Sequence, residues 1–185
     1  MQERMNIVSM IEKTIASKPI YDGKIIKVKV DEVELPNGKT AKREIVNHPG
    51  AVAVMAITED DRMVMVRQFR KPLEKILVEI PAGKLEPGEN PETCAERELQ
   101  EETGYTCKTL HHQASFYTSP GFADELIHLY RAEGVKPGEA QPDEDEFVEL
   151  LHVTKEEAQR LIENGEIQDA KTILAVYAWK LDASS

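Results

Sequence analysis

Residues 83–105 read GKLEPGENPETCAERELQEETGY, and this stretch decides the fold. Asn90 followed by Pro91 supplies an N-cap and a proline at the first helical position, where a missing N–H costs nothing. The helix then runs to Gly104, the residue type that most readily takes the left-handed conformation ending a helix. At roughly 100° per residue, Ala95 and Leu99 lie about 40° apart and form the apolar stripe that faces the protein body. Glu102 and Glu98 fall beside that stripe, about 20° and 60° from Ala95, whereas Arg97 and Gln100 point elsewhere. Acids are thereby placed toward the interior. Glu98 repels Glu102 at i, i+4 and Glu101 at i, i+3, by roughly a few tenths of a kcal/mol per pair on an exposed helix. A partly buried, unpaired ion costs on the order of several kcal/mol. Divalent cations with oxygen ligands relieve both penalties, and Mg²⁺ suits sites of few carboxylates completed by water and phosphate. On composition alone, E-R-E-L-Q-E-E is more often a solvated face laced with ion pairs, Arg97 with Glu101 among them. Both readings stand at this point.

Upstream, Lys24 to Leu35 largely alternates apolar and polar residues, Pro36-Asn37-Gly38-Lys39 follows, and Thr40 to Val46 is extended again, which predicts a hairpin. Ala51 to Thr58, Met63 to Phe69 and Lys75 to Ile80 are further strand-like runs, parted by the Glu59-Asp60-Asp61 turn and a loop around Pro72. Downstream, strands are expected near Leu110 to Tyr117, Glu125 to Ala132 and Phe147 to Val153. Thr154-x-x-Glu157 is a capping box opening a helix through Glu163, and Asp169 caps a last helix to about Leu181. Strands and helices interleave without regular βαβ spacing, which predicts an α/β protein with a mixed sheet and helices on both faces. Gly134 to Glu146, with Pro137, Gly138, Pro142 and the acidic run Asp143 to Glu146, reads as a mobile charged loop.

A chain of 185 residues suits one domain, or one domain with a short arm. The longest apolar run, Ala51 to Ile57, falls far short of the ~18 residues that a membrane span needs. Met1 to Ser17 sets Glu3, Arg4, Glu12 and Lys13 among its apolar residues, so it lacks the core of a secretory signal, and a cytoplasmic protein is expected. A net charge of −11 argues against a nucleic-acid polymer as partner; an anionic small substrate needs bridging cations. Cys94 and Cys107 form no metal or redox pattern and read as reduced thiols.

Gly83, five residues, Glu89, seven residues, then Arg97-Glu98-Leu99-x-Glu101-Glu102-x-Gly104-Tyr105 matches the Nudix box at every position except Tyr105, where an aliphatic residue is usual. The chain therefore resembles the Nudix hydrolases. The resemblance implies an α/β/α sandwich around a mixed sheet over residues 51–181, preceded by a β-hairpin arm in residues 1–50. It implies Mg²⁺, with Mn²⁺ as the alternative, held by Glu98 and Glu102, assisted by Glu101 and completed by the carbonyl of Ala82. Arg97 would tie loop to helix by pairing with a box carboxylate. When bound, such metals clamp a diphosphate and acidify a water.

Pro120 stands fifteen residues after Tyr105, and Tyr117-Thr118-Ser119-Pro120-Gly121-Phe122-Ala123-Asp124-Glu125 is similar to the substrate loop of the ADP-ribose pyrophosphatase subfamily. Val66 to Arg70 and Glu79 to Gly83 are similar to it as well. By position this implies Arg70 on the substrate phosphates, Lys84 and Ser119 lining the same cleft, and Glu125 on a ribose hydroxyl. Arg43 and Glu44 match positions that touch the adenosine half; read as residues alone, they are equally an exposed ion pair on an edge strand. In that subfamily a glutamate from a later mobile loop takes the proton, and the resemblance, read back without gaps from Val153-Thr154, implies Glu144 as general base and Glu146 near the metals, with a merely solvated loop as the alternative. In such relatives the N-terminal strands pack onto a partner subunit, so the resemblance implies a homodimer, and an arm with too few strands to bury its own core agrees with that. The expected reaction is ADP-ribose to AMP and ribose 5-phosphate; the alternatives are another nucleoside diphosphate sugar, a dinucleotide, or a non-catalytic nucleotide-sensing module.

Overall fold

The computed structural model describes residues 10–138 and 147–182. The chain divides into two compact units, one comprising the segment up to Pro49 with Tyr117–Glu125, the other Gly50–Phe116 and the chain from Leu126 onward.

In the first unit, strands β1 (Lys13–Asp22), β2 (Lys27–Glu34) and β3 (Thr40–Asn47) form an antiparallel sheet in that order. The expected hairpin is β2–β3, turning at Gly38 with φ +77°, a left-handed conformation that costs glycine nothing. No residue pattern announced β1. All ten of its residues are exposed, so no buried face imposes alternation, and Pro19 cannot donate to the ladder; register shifts interrupt its pairing with β2 at two places. Segment 117–125 docks on the end of β3. Phe122 O accepts from Val46 N at 2.8 Å, and the Asp124 carboxylate accepts from Asn47 Nδ2 at 2.7 Å and His48 N at 2.8 Å.

The second unit holds β4 (Ala51–Ala56), β5 (Met63–Arg70), β6 (Lys75–Glu79), β7 (Ala82–Lys84), helix α1 (Pro91–Thr103), β8 (Tyr105–Thr106), β9 (Thr109–Tyr117), β10 (Leu126–Glu133), β11 (Lys136–Pro137), β12 (Glu149–Val153), α2 (Lys155–Glu163) and α3 (Ala170–Asp182). The mixed sheet has the order β7-β4-β10-β9, with β4 parallel to β10 and antiparallel to β7. An antiparallel sheet, β12-β5-β6, adjoins it through the Ile57–Met63 bridge that closes the Glu59-Asp60-Asp61 turn. β8 pairs with β11, giving the first part of the expected charged loop a strand.

β4 explains the layering. All six of its residues are buried, because alternate side chains enter different cores. Ala51, Ala53 and Met55 pack with Met65, Leu129, Ala175, Val176 and Trp179 on the side of α2 and α3. Val52, Val54 and Ala56 pack with Cys94, Ala95 and Leu99 of α1. Helices thus cover both faces, as an α/β/α sandwich requires. Three helix boundaries fall where local chemistry placed them: Asn90 Oδ1 accepts from Glu92 N, Thr154 and Glu157 form the reciprocal box, and Asp169 Oδ2 accepts from Thr172 N. No helix among the described residues is long and apolar enough to cross a membrane.

Candidate active site

The stripe of Ala95 and Leu99 is fully buried, and burying a leucine of this kind contributes roughly 1.5–3 kcal/mol. That anchoring fixes the rotation of α1 and presents its acids to β7. Glu102 is 6% exposed, and its Oε2 accepts from Ala82 N at 3.0 Å. The Glu98 side chain is 13% exposed and lies directly on Gly83: a Cβ at that position would sit 1.8 Å from the Glu98 carboxyl carbon. A side chain at position 83 would therefore displace the Glu98 carboxylate, fifteen residues away. Glu101 lies outermost, its side chain 38% exposed.

Arg97 joins these groups. Its Nε and Nη2 donate to the Glu89 carboxylate at 3.0 and 3.2 Å, and its Nη1 reaches Glu98 Oε1 and Glu101 Oε2, both at 2.9 Å. The loop from Gly83 to Asn90 is thereby tied to the helix. Hydrogen bonds from Arg97, then from the backbone N–H of Glu86, hold the Glu89 carboxyl at about 2. Burial pushes the thiol of Cys94, beside Arg97, up to about 12, which removes it as a nucleophile at neutral pH.

Arg70 belongs to a second cluster in the same unit. Its Nε and Nη2 donate to the two oxygens of Glu79, both at 2.7 Å, and Lys171 Nζ reaches Glu79 Oε2 at 2.6 Å. Glu79 is 1% exposed. Burial drives its carboxyl upward, but the Arg70 hydrogen bonds and the charge of Lys171 outweigh this and hold it at about 2. Because the folded value lies below the ordinary 4.5, the stabilisation is complete above that pH and is lost as pH falls from 4.5 through about 2. Glu79→Gln should flatten the dependence of stability on pH across that window, as denaturant melts at stepped pH would show; an unchanged slope would mean that Glu79 is not held ionised. The sequence held one sign of this cluster, a glutamate inside the apolar run KILVEI, where a charge needs a partner. Nothing local pointed to Lys171.

The residues around α1 fit a hard divalent cation. Among the described residues, no three His, Cys, Asp or Glu side chains already form a metal cage. Mg²⁺ does not require one, since it is held by one or two carboxylates, water and substrate phosphates. Two carboxylates kept at the β7 backbone, one of them in a cradle that a single methyl group would fill, supply oxygen donors of the right class at Glu98 and Glu102.

The structure brings Arg70, Ala82, Lys84, Arg97, Glu98, Glu101 and Glu102 together in one unit, Lys84 being an exposed residue of β7. Arg43, Glu44, Ser119 and Glu125 belong to the other. There Arg43 pairs not with Glu44 but with Glu12, Nε to Oε2 at 2.7 Å, while Glu44 is exposed. Ser119 O caps its loop by accepting from Phe122 N and Ala123 N, and Glu125 Oε2 accepts from Thr118 Oγ1 at 2.7 Å. Asp124, which clamps this loop to β3, went unnoticed in the sequence because its partners lie 76 and 77 positions away. Glu144 and Glu146 lie outside the described residues.

Comparison with known proteins agrees with this geometry. The NUDIX domain profile matches residues 47–176, and that of the nucleoside diphosphate sugar hydrolase N-terminal domain matches residues 12–46. The chain belongs to the Nudix family. It is 58% identical over 170 residues to the ADP-ribose pyrophosphatase of Bacillus subtilis (strain 168), covering 91% of this chain and 92% of that protein. It is 59% identical over 167 residues to the methanol dehydrogenase activator of Bacillus methanolicus, covering 89% and 90%. A crystal structure of an ADP compounds hydrolase superposes with a TM-score of 0.79 at 19% identity, covering 90% of each chain, and shares the fold.

Proposed function

We propose that this protein is a divalent-metal-dependent pyrophosphohydrolase that cleaves ADP-ribose to AMP and ribose 5-phosphate. The observation that carries the reading is the seating of the Glu98 carboxylate against Gly83, with Glu102 beside it on the backbone of β7. The similarity to the Bacillus subtilis ADP-ribose pyrophosphatase, extending over 91% of the chain, supports the choice of substrate.

Glu98 and Glu102, with the Ala82 carbonyl, are the residues that would hold Mg²⁺ or Mn²⁺, and Glu101 assists. When bound, the metal neutralises the diphosphate and lowers the pKa of a water. Arg97 keeps the loop and helix in register, so that both carboxylates stay where α1 puts them. Arg70 supplies a fixed cation for the diphosphate, and Lys84 and Ser119 are assigned to the phosphates by resemblance. Arg43, Glu44 and Glu125 are assigned to the adenosine and ribose portions by resemblance. Glu144 is the assigned proton acceptor and Glu146 a further metal-side acid, both from the sequence alone. We assign the protein to the cytoplasm as a homodimer joined through the N-terminal strands.

Incubation with ADP-ribose and Mg²⁺, beside a panel of other nucleoside diphosphate sugars and dinucleotides, should release AMP fastest from ADP-ribose. A chelator should stop the reaction and added Mg²⁺ restore it. Turnover that persists without metal, or faster cleavage of another diphosphate, contradicts the assignment. The Bacillus methanolicus relative favours a second reading, activation of an alcohol dehydrogenase. Adding the wild-type protein and its Glu98→Gln variant to such an enzyme tests it, and an unaltered dehydrogenase rate with wild type rejects it.

A further inference from the structure

We infer that Glu79 and Lys171 are positioning residues that set the guanidinium of Arg70 for the substrate diphosphate, an inference that rests on the hydrolysis proposed above. Glu79 ends β6 and is wholly enclosed, yet it is flanked by two cations rather than one. Arg70 grips it through Nε and Nη2, and Lys171 from the first turn of α3 takes the second oxygen as well. A guanidinium held side-on in this way is fixed in plane. Its remaining N–H groups, both on Nη1 and one on Nη2, point away from the carboxylate.

The second cation matters because a ligand must compete for Arg70 with Glu79. Were Arg70 the sole partner of a buried carboxylate, sharing its charge with a diphosphate would leave that carboxylate undercompensated. Lys171 removes this penalty. It is itself held by Asp169 at 3.1 Å, so the cluster balances two cations against two carboxylates. The turn of α3 that carries it is pinned next to Glu79 by the Ile80 N–H, which donates to Thr172 Oγ1 at 3.0 Å. Arg70 nevertheless keeps 39% of its side chain exposed, and it feels the charge of Glu102 on the carboxylate helix. A cation that is braced from behind, open in front and electrostatically coupled to Glu102 of α1 has the arrangement of a preset diphosphate contact.

A cluster that only stapled α3 to β6 would set stability and nothing else. ADP-ribose kinetics at saturating Mg²⁺ separate the two. Lys171→Met should raise KM about tenfold with kcat within about twofold, and Lys171→Arg should recover most of the loss. Glu79→Asp, which keeps the charge but draws the carboxylate back, should also raise KM selectively, and it serves if Lys171→Met does not fold. In an Arg70→Gln background, Lys171→Met should add nothing to KM, because Lys171 acts only through Arg70. An unchanged KM in Lys171→Met, or in Glu79→Asp where that variant stands in, overturns the inference, as do multiplicative effects of Arg70→Gln and Lys171→Met. If Arg70→Gln itself leaves KM unchanged, Arg70 does not contact the diphosphate, and the underlying assignment of that residue fails instead.

Discussion

Glu98→Gln is expected to lower kcat for ADP-ribose by about three orders of magnitude, equivalent to about 4 kcal/mol of barrier. The amide keeps the size and most contacts of the carboxylate but removes the negative charge from an oxygen donor seated at Gly83. Stability should hardly move. The variant loses part of one hydrogen bond from Arg97 Nη1, which still has Glu101 at 2.9 Å, and it gains relief from repulsion by Glu102 one turn away. These contributions oppose each other at roughly a few tenths of a kcal/mol to ~1 kcal/mol, so the melting temperature should stay within a few degrees. AMP release and a thermal melt on the same preparation check both halves. Normal turnover in the variant would mean that the acids of α1 are a solvated face after all.

Gly83→Ala should also impair turnover, through a single methyl group. Gly83 is not in the left-handed region, so alanine suits the backbone, and the smaller entropy of the unfolded chain even favours it by roughly 0.4–1 kcal/mol. The obstacle is the Glu98 carboxyl group, whose carbon and two oxygens would lie 1.8–2.2 Å from the new Cβ. That group is the far end of a flexible side chain and can swing aside. The expected result is a folded, stable protein whose turnover is down by about a hundredfold because one carboxylate has lost its place. Gly88→Ala is the contrasting control. Its φ of +80° makes alanine strained, but nothing lies within 4 Å of the added carbon, so stability should fall while turnover persists. Full activity in Gly83→Ala would separate the Gly83–Glu98 contact from catalysis.

Much of this architecture is written locally. Asn90, Gly104, Thr154 with Glu157, and Asp169 each mark a helix boundary through a bond to a residue two to four positions away, and such bonds can be read from spacing. The inward turn of Glu98 and Glu102 follows from helical periodicity once Ala95 and Leu99 are taken as core. What the sequence hides is set by distant partners or by the lack of a buried face. β1 is exposed along its whole length and takes its conformation from β2. Lys171 becomes meaningful only when β6 and α3, 92 positions apart, place it on Glu79. Arg43 likewise finds Glu12, 31 positions away, rather than its sequence neighbour Glu44.

Titration of Mn²⁺ into the protein, with free ion followed by electron paramagnetic resonance, is the most direct test of the carboxylate helix as a metal holder. The wild type should take up the ion, and both Glu98→Gln and Glu102→Gln should weaken its uptake by about tenfold or more. Uptake that is absent in the wild type, or equal in all three proteins, would show that these glutamates do not hold the metal.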